Sequence, residues 1–165
     1  MERMYAPWRS EYTVKTVRSK NPDATKDECV FCTISADKKD AENFIIKRGK
    51  YNFILLNRFP YNAGHVLVIP YAHTSDLDQL PKAARTELME LLCQTSIVLK
   101  KALNAEGINV GLNQGKAAGA GIPSHLHFHS LPRWMGDTNF LPVLADTKQI
   151  SFDLNTIYKQ LKKAY

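Results

Sequence analysis

The 165-residue sequence has no apolar run that approaches the ~18 residues of a membrane-spanning helix. Its N-terminal stretch, "MERMYAPWRSEYTVKTVRSK", also lacks the apolar segment of roughly 7–15 residues that follows a basic start in a secretory signal. No internal repeat and no low-complexity tract divides the chain. These absences predict one soluble domain over residues 1–165, with a cytoplasmic location and no membrane partner.

Cysteine is scarce as well, with three in the chain, and in a reducing compartment these are not expected to form a disulfide framework. Cys29 and Cys32 stand close together in "CVFC". Such a pair is typical of a metal site or a redox-active site, or it is simply buried. Cys93, within "ELLCQTS", is predicted to belong to the core face of a helix.

Acidic residues are outnumbered, with 16 Asp and Glu against 22 Lys and Arg, which gives a formal net charge of +6. An excess of positive charge favours an anionic partner such as a nucleotide, a nucleic acid or a phosphorylated metabolite. Many of the lysines stand in mixed-sign runs such as "KDAENFIIKRGK", whose ordinary explanation is a solvated surface. Charge alone therefore leaves the partner open.

Turn signals and hydrophobic periodicity predict an α+β fold. The β-rich segments cover residues 44–48, 51–57, 65–70, 108–113 and 125–131. Gly49-Lys50 is a hairpin signal between the first two of them. From Pro81 the leucines recur at intervals of three and four, which predicts an amphipathic helix of roughly 20 residues. We expect one long helix packed on a mostly antiparallel sheet, with residues 1–27 as an N-terminal arm and about 141–165 as a C-terminal extension ending in a short helix.

Three histidines alternate in "SHLHFHSLPRW": His125, His127 and His129. On a strand they share one face, while Leu126 and Phe128 take the other. Because the apolar residues are expected to face the core, the imidazoles are predicted to line a surface or a cleft, about 6.5 Å apart.

Three roles compete for such a histidine row. Imidazoles two apart on a flat strand are poorly placed to converge on one ion at bond lengths of ~2.0 Å, which disfavours a three-histidine metal site. A chance occurrence is disfavoured, because histidine fills three of the five positions 125–129. Nucleophilic catalysis fits better, because an imidazole with a pKa near ~6.5 is neutral enough at pH 7 to attack phosphorus or an acyl carbon.

The preceding loop, "NQGKAAGAG", supports that choice. Its small residues 117–120, before Gly121, would let backbone N–H groups approach a phosphate closely. The loop and the histidines together predict a phosphate cradle beside a nucleophile. His65, in "AGHVLV", is predicted to bond to the backbone at the start of a strand and to take no part in chemistry.

Three stretches resemble the histidine-triad (HIT) family. "HLHFHSL" is similar to its signature His-φ-His-φ-His-φ-φ, with Ser130 at one φ position. "LNRFPYNAGHVLVIPYAH", residues 56–73, resembles the family's Asn/Asp-x-x-Pro…Gly-His-x-Leu-Val-Ile-Pro strand pair, and "CVFCTI" resembles its N-terminal segment. The resemblance covers residues ~29–134 in the family's order and spacing.

The resemblance implies a small α+β domain that dimerises through its helix and a strand into one continuous sheet. It also implies transfer or hydrolysis of nucleotidyl groups through a nucleotidyl-histidine intermediate. By position, His127 would be the nucleophile, His129 would contact the phosphate, and His125 would support the site. Asn57 would hold the ribose hydroxyls. The remaining substrate-binding positions would be Val30, Phe31, Ile34 and Leu55 around the base, for which ordinary core is the alternative, and Asn113, Ala120, Gly121 and Ser124.

One position departs from the pattern. Many hydrolases of the family carry a glutamine four residues before the first triad histidine, where this chain has Gly121. Asn113 and the tail "PRWMGDTNF" resemble instead the branch that includes bacterial diadenosine tetraphosphate phosphorylases, in which phosphate rather than water completes the reaction. Trp134 would then lie near the substrate; a stacked turn at the sheet edge is the alternative.

The resemblance also completes a metal site. Cys29 and Cys32 have the C-x₂-C spacing of tetrahedral zinc, and related members add the equivalents of His73 and His125. Four protein ligands would make Zn²⁺ structural. A reduced pair without metal is the alternative.

Three functions follow as hypotheses. The first is a phosphorylase that converts diadenosine tetraphosphate and phosphate to ATP and ADP. The second is a hydrolase of dinucleoside polyphosphates or nucleoside phosphoramidates on the same site. The third is a zinc-supported nucleotide-binding module without turnover. No nucleic-acid partner is expected, because the chain offers neither an additional DNA-binding domain nor a second CxxC.

Overall fold

The structure is a computed structural model that describes residues 25–145, 149–150 and 152–165. Most of the expected N-terminal arm lies outside these residues. The strands are β1 (Ile45–Arg48), β2 (Asn52–Leu56), β3 (Val66–Pro70), β4 (Gly107–Leu112) and β5 (Phe128–Arg133). The α-helices are α1 (Val30–Ala36), α2 (Lys82–Leu103), α3 (Leu141–Ala145) and α4 (Leu154–Ala164).

All strand pairs are antiparallel, in the order β1-β2-β3-β5-β4. The α+β class, the five-stranded sheet and the long helix are thus confirmed. The predicted hairpin at Gly49-Lys50 is held by α2, because the Glu87 carboxylate accepts from the amides of Lys50, Tyr51 and Asn52 at 2.7, 2.7 and 2.9 Å. Burial raises the pKa of Glu87, but the Asn52 side-chain amide, which donates to the same carboxylate, and the three backbone bonds outweigh it and lower that pKa. Sheet and helix are therefore joined at the tip of the first hairpin.

The two faces of the sheet bury different apolar clusters. Leucines of α2, spaced by three and four residues, pack on one face together with α4; buried members include Leu88, Leu92, Leu99, Val66, Val68, Leu126 and Leu161. The opposite face carries α1 and a second cluster that includes Phe31, Phe53, Leu55, Leu67 and Ile69. The alternation of β2 and β3 sends neighbouring residues to these two clusters. In the described part of the chain, no helix has both the length and the apolarity needed to cross a bilayer.

Two details differ from the sequence predictions. The last strand begins at Phe128 rather than at residue 125, because the Leu126 amide donates to Thr74 O at 2.8 Å instead of joining the ladder. Cys93 is exposed rather than in the core face of α2, whose buried stripe passes through Leu92 and Thr95.

Candidate active site

The three triad histidines lie on the α1 side of the sheet, and they are buried. His125, His127 and His129 are 1%, 5% and 8% exposed, so of the two predicted settings, a surface or a cleft, the open surface does not apply. The cause is α1, whose Phe31 ring lies 5.5 Å from the His125 ring and 5.2 Å from the His127 ring. Leu126 belongs to the cluster under α2, as the predicted alternation requires.

His127 presents a lone pair at Nε2. Its Nδ1 lies 2.8 Å from His125 O, and a carbonyl oxygen can only accept, so Nδ1 carries the proton. Burial lowers the pKa of His127, although the backbone hydrogen bond opposes this shift. The imidazole is therefore neutral at pH 7 and has the protonation state of a nucleophile.

His65 controls the neighbouring histidine, which the sequence reasoning missed. The Tyr61 amide donates to His65 Nδ1 at 3.1 Å, and the Asn57 amide nitrogen lies at the same distance from that atom. Because Nδ1 accepts, the His65 proton is on Nε2, which donates to His129 Nδ1 at 2.9 Å. His129 is thereby left with an Nε2–H. His65 does bond to the backbone, as predicted, but its second nitrogen orients a triad histidine.

Burial keeps this pair neutral. It lowers the pKa of His65 to about 3, with His129 as a further cause, and the pKa of His129 to about 4, with His127 as a further cause. The Tyr61 ring covers both imidazoles, with centroids 4.7 Å from His65 and 5.6 Å from His129. Gly64, at φ +72°, brings the chain into place before His65, since a Cβ there would lie 2.5 Å from Leu103 Cδ1. The sequence signal that could have pointed to this role of His65 is a glycine followed by a histidine at the start of a strand.

Within the described residues, His129 Nε2 and Ser124 Oγ are buried polar atoms without a hydrogen-bond partner, as are Ser130 Oγ and Asn52 Oδ1. Within the described ranges, no hydrogen bond involves the amides of Ile122 and Ser124, which are buried residues, or the amide of Gly121, which is exposed. Buried donors are rarely left unpaired, because each costs about 1–3 kcal/mol. A group of unpaired donors at this position can bind an anionic oxygen.

The other predicted substrate positions form three groups. Asn57 is tied to the histidine pair by its amide nitrogen, and its Oδ1 accepts from Phe59 N at 2.9 Å. The predicted base-pocket residues Val30, Phe31, Ile34 and Leu55 meet in the second apolar cluster. Ala120 and Gly121 line an open space of about 300 Å³. Asn113 stands in the same β4–β5 connection.

Trp134 lies away from this group. It follows the far end of β5 from His127, and its indole N–H donates to Leu103 O at the end of α2, at 3.2 Å. Its ring packs against the cluster under α2. Within one chain, the position of Trp134 thus agrees with the alternative of a stacked turn at the sheet edge. Its contact with a substrate remains a prediction.

Four side chains meet at a candidate metal centre. The donor atoms of Cys29, Cys32, His73 and His125 all lie within 4.8 Å of one another. The two Nδ1 atoms are 3.3 Å apart, and the Sγ–Nδ1 distances from Cys29 to His125 and from Cys32 to His73 are 3.3 and 3.4 Å. A zinc tetrahedron with ordinary bond lengths has edges of about 3.3 Å between nitrogens and about 3.6 Å between sulfur and nitrogen.

The protonation of His125 also fits a metal ligand. Its Nε2 lies 2.9 Å from Pro70 O, so Nε2 carries the proton and Nδ1 offers its lone pair to the cluster. A ligand histidine that donates its other N–H to a carbonyl is the usual arrangement in metal sites. The described residues therefore fit Zn²⁺ in both distances and donor set.

The chain is similar in sequence and in fold to known proteins. A model of the HIT domain matches residues 38–135. A Mycobacterium tuberculosis protein named AP-4-A phosphorylase is 34% identical over 150 residues, which make up 91% of this chain and 77% of that protein. Adenosine 5′-monophosphoramidase of Saccharomyces cerevisiae is 29% identical over 147 residues, 88% of each chain. The crystal structure of a Zn-bound histidine triad family protein from Mycobacterium smegmatis superposes with a TM-score of 0.68 at 28% identity, covering 85% of this chain and 94% of that one.

Proposed function

The chain belongs to the HIT family, and from that premise we propose that it is a nucleotidyl transferase that cleaves dinucleoside polyphosphates by phosphorolysis. With diadenosine tetraphosphate and inorganic phosphate, the products would be ATP and ADP. The observation that carries the chemistry is the neutral His127 with its lone pair on Nε2, in the same segment as the unpartnered His129 Nε2 and Ser124 Oγ. The named relatives AP-4-A phosphorylase and adenosine 5′-monophosphoramidase are enzymes, which favours turnover over simple binding.

In the first step, His127 Nε2 attacks the α-phosphorus of one adenosine. A phosphorus–nitrogen bond forms as the bond from that phosphorus to the bridging oxygen breaks, and ATP leaves with the bonding electron pair. The His129 Nε2–H donates to a non-bridging oxygen on which negative charge develops. Because His65 fixes the tautomer of His129, this donor is in place before the substrate arrives.

In the second step, an oxygen of inorganic phosphate attacks the same phosphorus. The phosphorus–nitrogen bond breaks, its electron pair returns to His127 Nε2, and ADP forms. Water in place of phosphate would give AMP, which is the hydrolase alternative. Gly121 at the position of the hydrolase glutamine, Asn113, and the 34% identity to AP-4-A phosphorylase support phosphate as the acceptor.

A Zn²⁺ ion on Cys29, Cys32, His73 and His125 would have four protein ligands and no open position, so it would be structural. The protein's own contribution there is to hold His125, whose carbonyl fixes the Nδ1 proton of His127. The N-terminal segment that carries the cysteines is thereby linked to the nucleophile.

Phosphate dependence tests the acceptor. Diadenosine tetraphosphate is incubated with the full chain, with and without phosphate, and products are separated by chromatography. We expect ADP and ATP in equal amounts with phosphate, and at least about a tenfold lower rate without it. AMP and ATP formed at the same rate in both samples would overturn phosphorolysis in favour of hydrolysis. Nucleotide binding without any product would exclude both phosphorolysis and hydrolysis and would favour the nucleotide-binding module without turnover.

We further infer that the protein is a homodimer built on β4 and α2. β4 is an edge strand, and its sequence "GINVGL" has none of the charges or prolines that protect an edge. On α2, Met89 and Ile97 stand eight residues apart on one helix face and are 56% and 55% exposed. Pairing of β4 with a second β4 would continue the sheet and cover this apolar face.

Size-exclusion chromatography with light-scattering detection measures the molar mass of the protein and so tests the dimer. We expect a mass of about twice the 18.7 kDa chain for the wild type. Val110→Lys together with Ile97→Lys should reduce it to that of one chain, because each puts a charge into the proposed interface. Phe152→Lys, at another exposed apolar position, is the matched control and should stay dimeric. A wild-type mass of one chain would contradict the inference.

A further inference from the structure

The β4–β5 connection lines an open space to which the two-step mechanism assigns no part of the substrate. Its volume is about 300 Å³, and it is lined by Lys116, Ala120, Gly121 and Pro123. Pro123 stands two residues before His125 and four before His127. The lining thus combines one cation with two small residues and a proline, and it includes no acidic side chain.

Lys116 brings an unneutralised charge to this space. Its ammonium group is exposed and forms no ion pair or hydrogen bond with any residue in the described ranges. The chain turns on either side of it at Gly115 (φ +80°) and Gly119 (φ +85°), and Gly119 N donates back to Lys116 O at 2.9 Å. The lysine is therefore carried on a short closed turn rather than on an extended loop.

The connection is fixed at its start as well as within the turn. Gln114 donates to Asp76 Oδ1 at 2.9 Å, and Ala120 N donates to Gly115 O at 3.2 Å. At its end, Ser124 is buried with an unpaired Oγ, and its exposed fraction is 6%. A buried hydroxyl without a partner at the junction with the triad is a second sign that this connection binds a polar ligand.

We propose that the space lined by Lys116, Ala120, Gly121 and Pro123 is a subsite for the phosphates of the leaving nucleotide, with Lys116 as its charged contact. This proposal rests on the proposed function and narrows its substrate class. The attacked phosphorus engages His127 and His129, and the phosphates beyond it extend along the connection to Lys116. A substrate with a polyphosphate leaving group uses the lysine, whereas a nucleoside phosphoramidate, which has a single phosphate, does not reach it.

Charge removal at position 116 tests the subsite. Lys116→Gln, Lys116→Arg and the control Lys159→Gln are compared on diadenosine tetraphosphate and on adenosine 5′-phosphoramidate. Lys159 is an exposed lysine of α4, on the opposite side of the sheet. We expect Lys116→Gln to lower kcat/KM for the tetraphosphate about tenfold, mainly through KM, and to leave the phosphoramidate within about twofold. Lys116→Arg should keep most of the activity.

The outcomes are distinguishable. An equal loss on both substrates would overturn the subsite and mean that Lys116 shapes the loop. No loss on the tetraphosphate would also overturn it. If the wild type neither turns over diadenosine tetraphosphate nor forms a nucleotidylated protein, the proposed function fails first, before position 116 is compared. Equal activity of Lys159→Gln and the wild type shows that net charge alone is not responsible.

Discussion

Replacing His127 with alanine is expected to lower kcat/KM for diadenosine tetraphosphate by about 10³-fold or more and to abolish the nucleotidylated protein. The reason is that Nε2 of this residue forms the covalent bond in the proposed mechanism, and its lone pair is fixed by the Nδ1 bond to His125 O at 2.8 Å. His65 and His125 have their nitrogens engaged by other groups, and His129 presents an N–H, so none of them can take over the attack.

Intact-protein mass spectrometry checks this result. The reaction is started without phosphate and stopped at alkaline pH, because a phosphorus–nitrogen bond to imidazole is labile in acid. The wild type and Lys159→Gln should carry one nucleotidyl group, and His127→Ala should carry none while keeping its melting temperature and its nucleotide binding. A nucleotidyl group that persists in His127→Ala would assign the nucleophile to another residue.

Replacing Cys32 with serine is expected to remove one Zn²⁺ per chain and to lower the melting temperature by roughly 10 °C. A ligand that binds the folded chain alone, at 1,000 times its Kd, stabilises it by about 4 kcal/mol. For a chain of this length, each kcal/mol corresponds to about 2–4 °C. Burial and the Cys29 sulfur raise the pKa of the Cys32 thiol to about 12, so a thiolate there requires a cation.

Metal analysis and calorimetry of the purified protein decide this prediction. The matched control is Cys93→Ser, since Cys93 is exposed on α2 and distant in sequence from the cluster. It should keep both the metal and the melting temperature. Should the wild type bind no zinc when Zn²⁺ is supplied to the reduced chain, the cluster would be a buried, reduced CxxC beside two histidines.

The sequence predicted the elements whose signals are local. The β-rich composition of β2 and β3, the turn signal at Gly49-Lys50, the period of three and four in α2 and the spacing of the cysteines each belong to a single element or turn. The pairing of Cys32 with His73, 41 residues away, came from the family resemblance and not from any local pattern. Its confirmation as a spatial cluster depends on α1 packing against the end of β3.

Other features depended on contacts between elements. The burial of His125 and His127 results from Phe31 on α1, a helix of seven residues that is too short to leave a periodic signal. The partnership of His65 with His129 depends on the β3–β5 register, which places Leu67 opposite His129. Cys93 was assigned to the core because period alone does not say where the buried stripe of a helix ends.

The bond from Tyr61 N to His65 Nδ1 has a consequence for how this site can change by mutation. Every residue except proline has a main-chain N–H, so any other residue at position 61 can donate to His65 Nδ1. The backbone therefore determines that His65 donates to His129 and not the reverse. The Tyr61 ring, which is partly exposed, can therefore be replaced by another side chain without reversing the hydrogen bond from His65 to His129. Substitutions at position 61, whether natural or made in the laboratory, can therefore change the surface beside His65 and His129 while the protonation states of both histidines are kept.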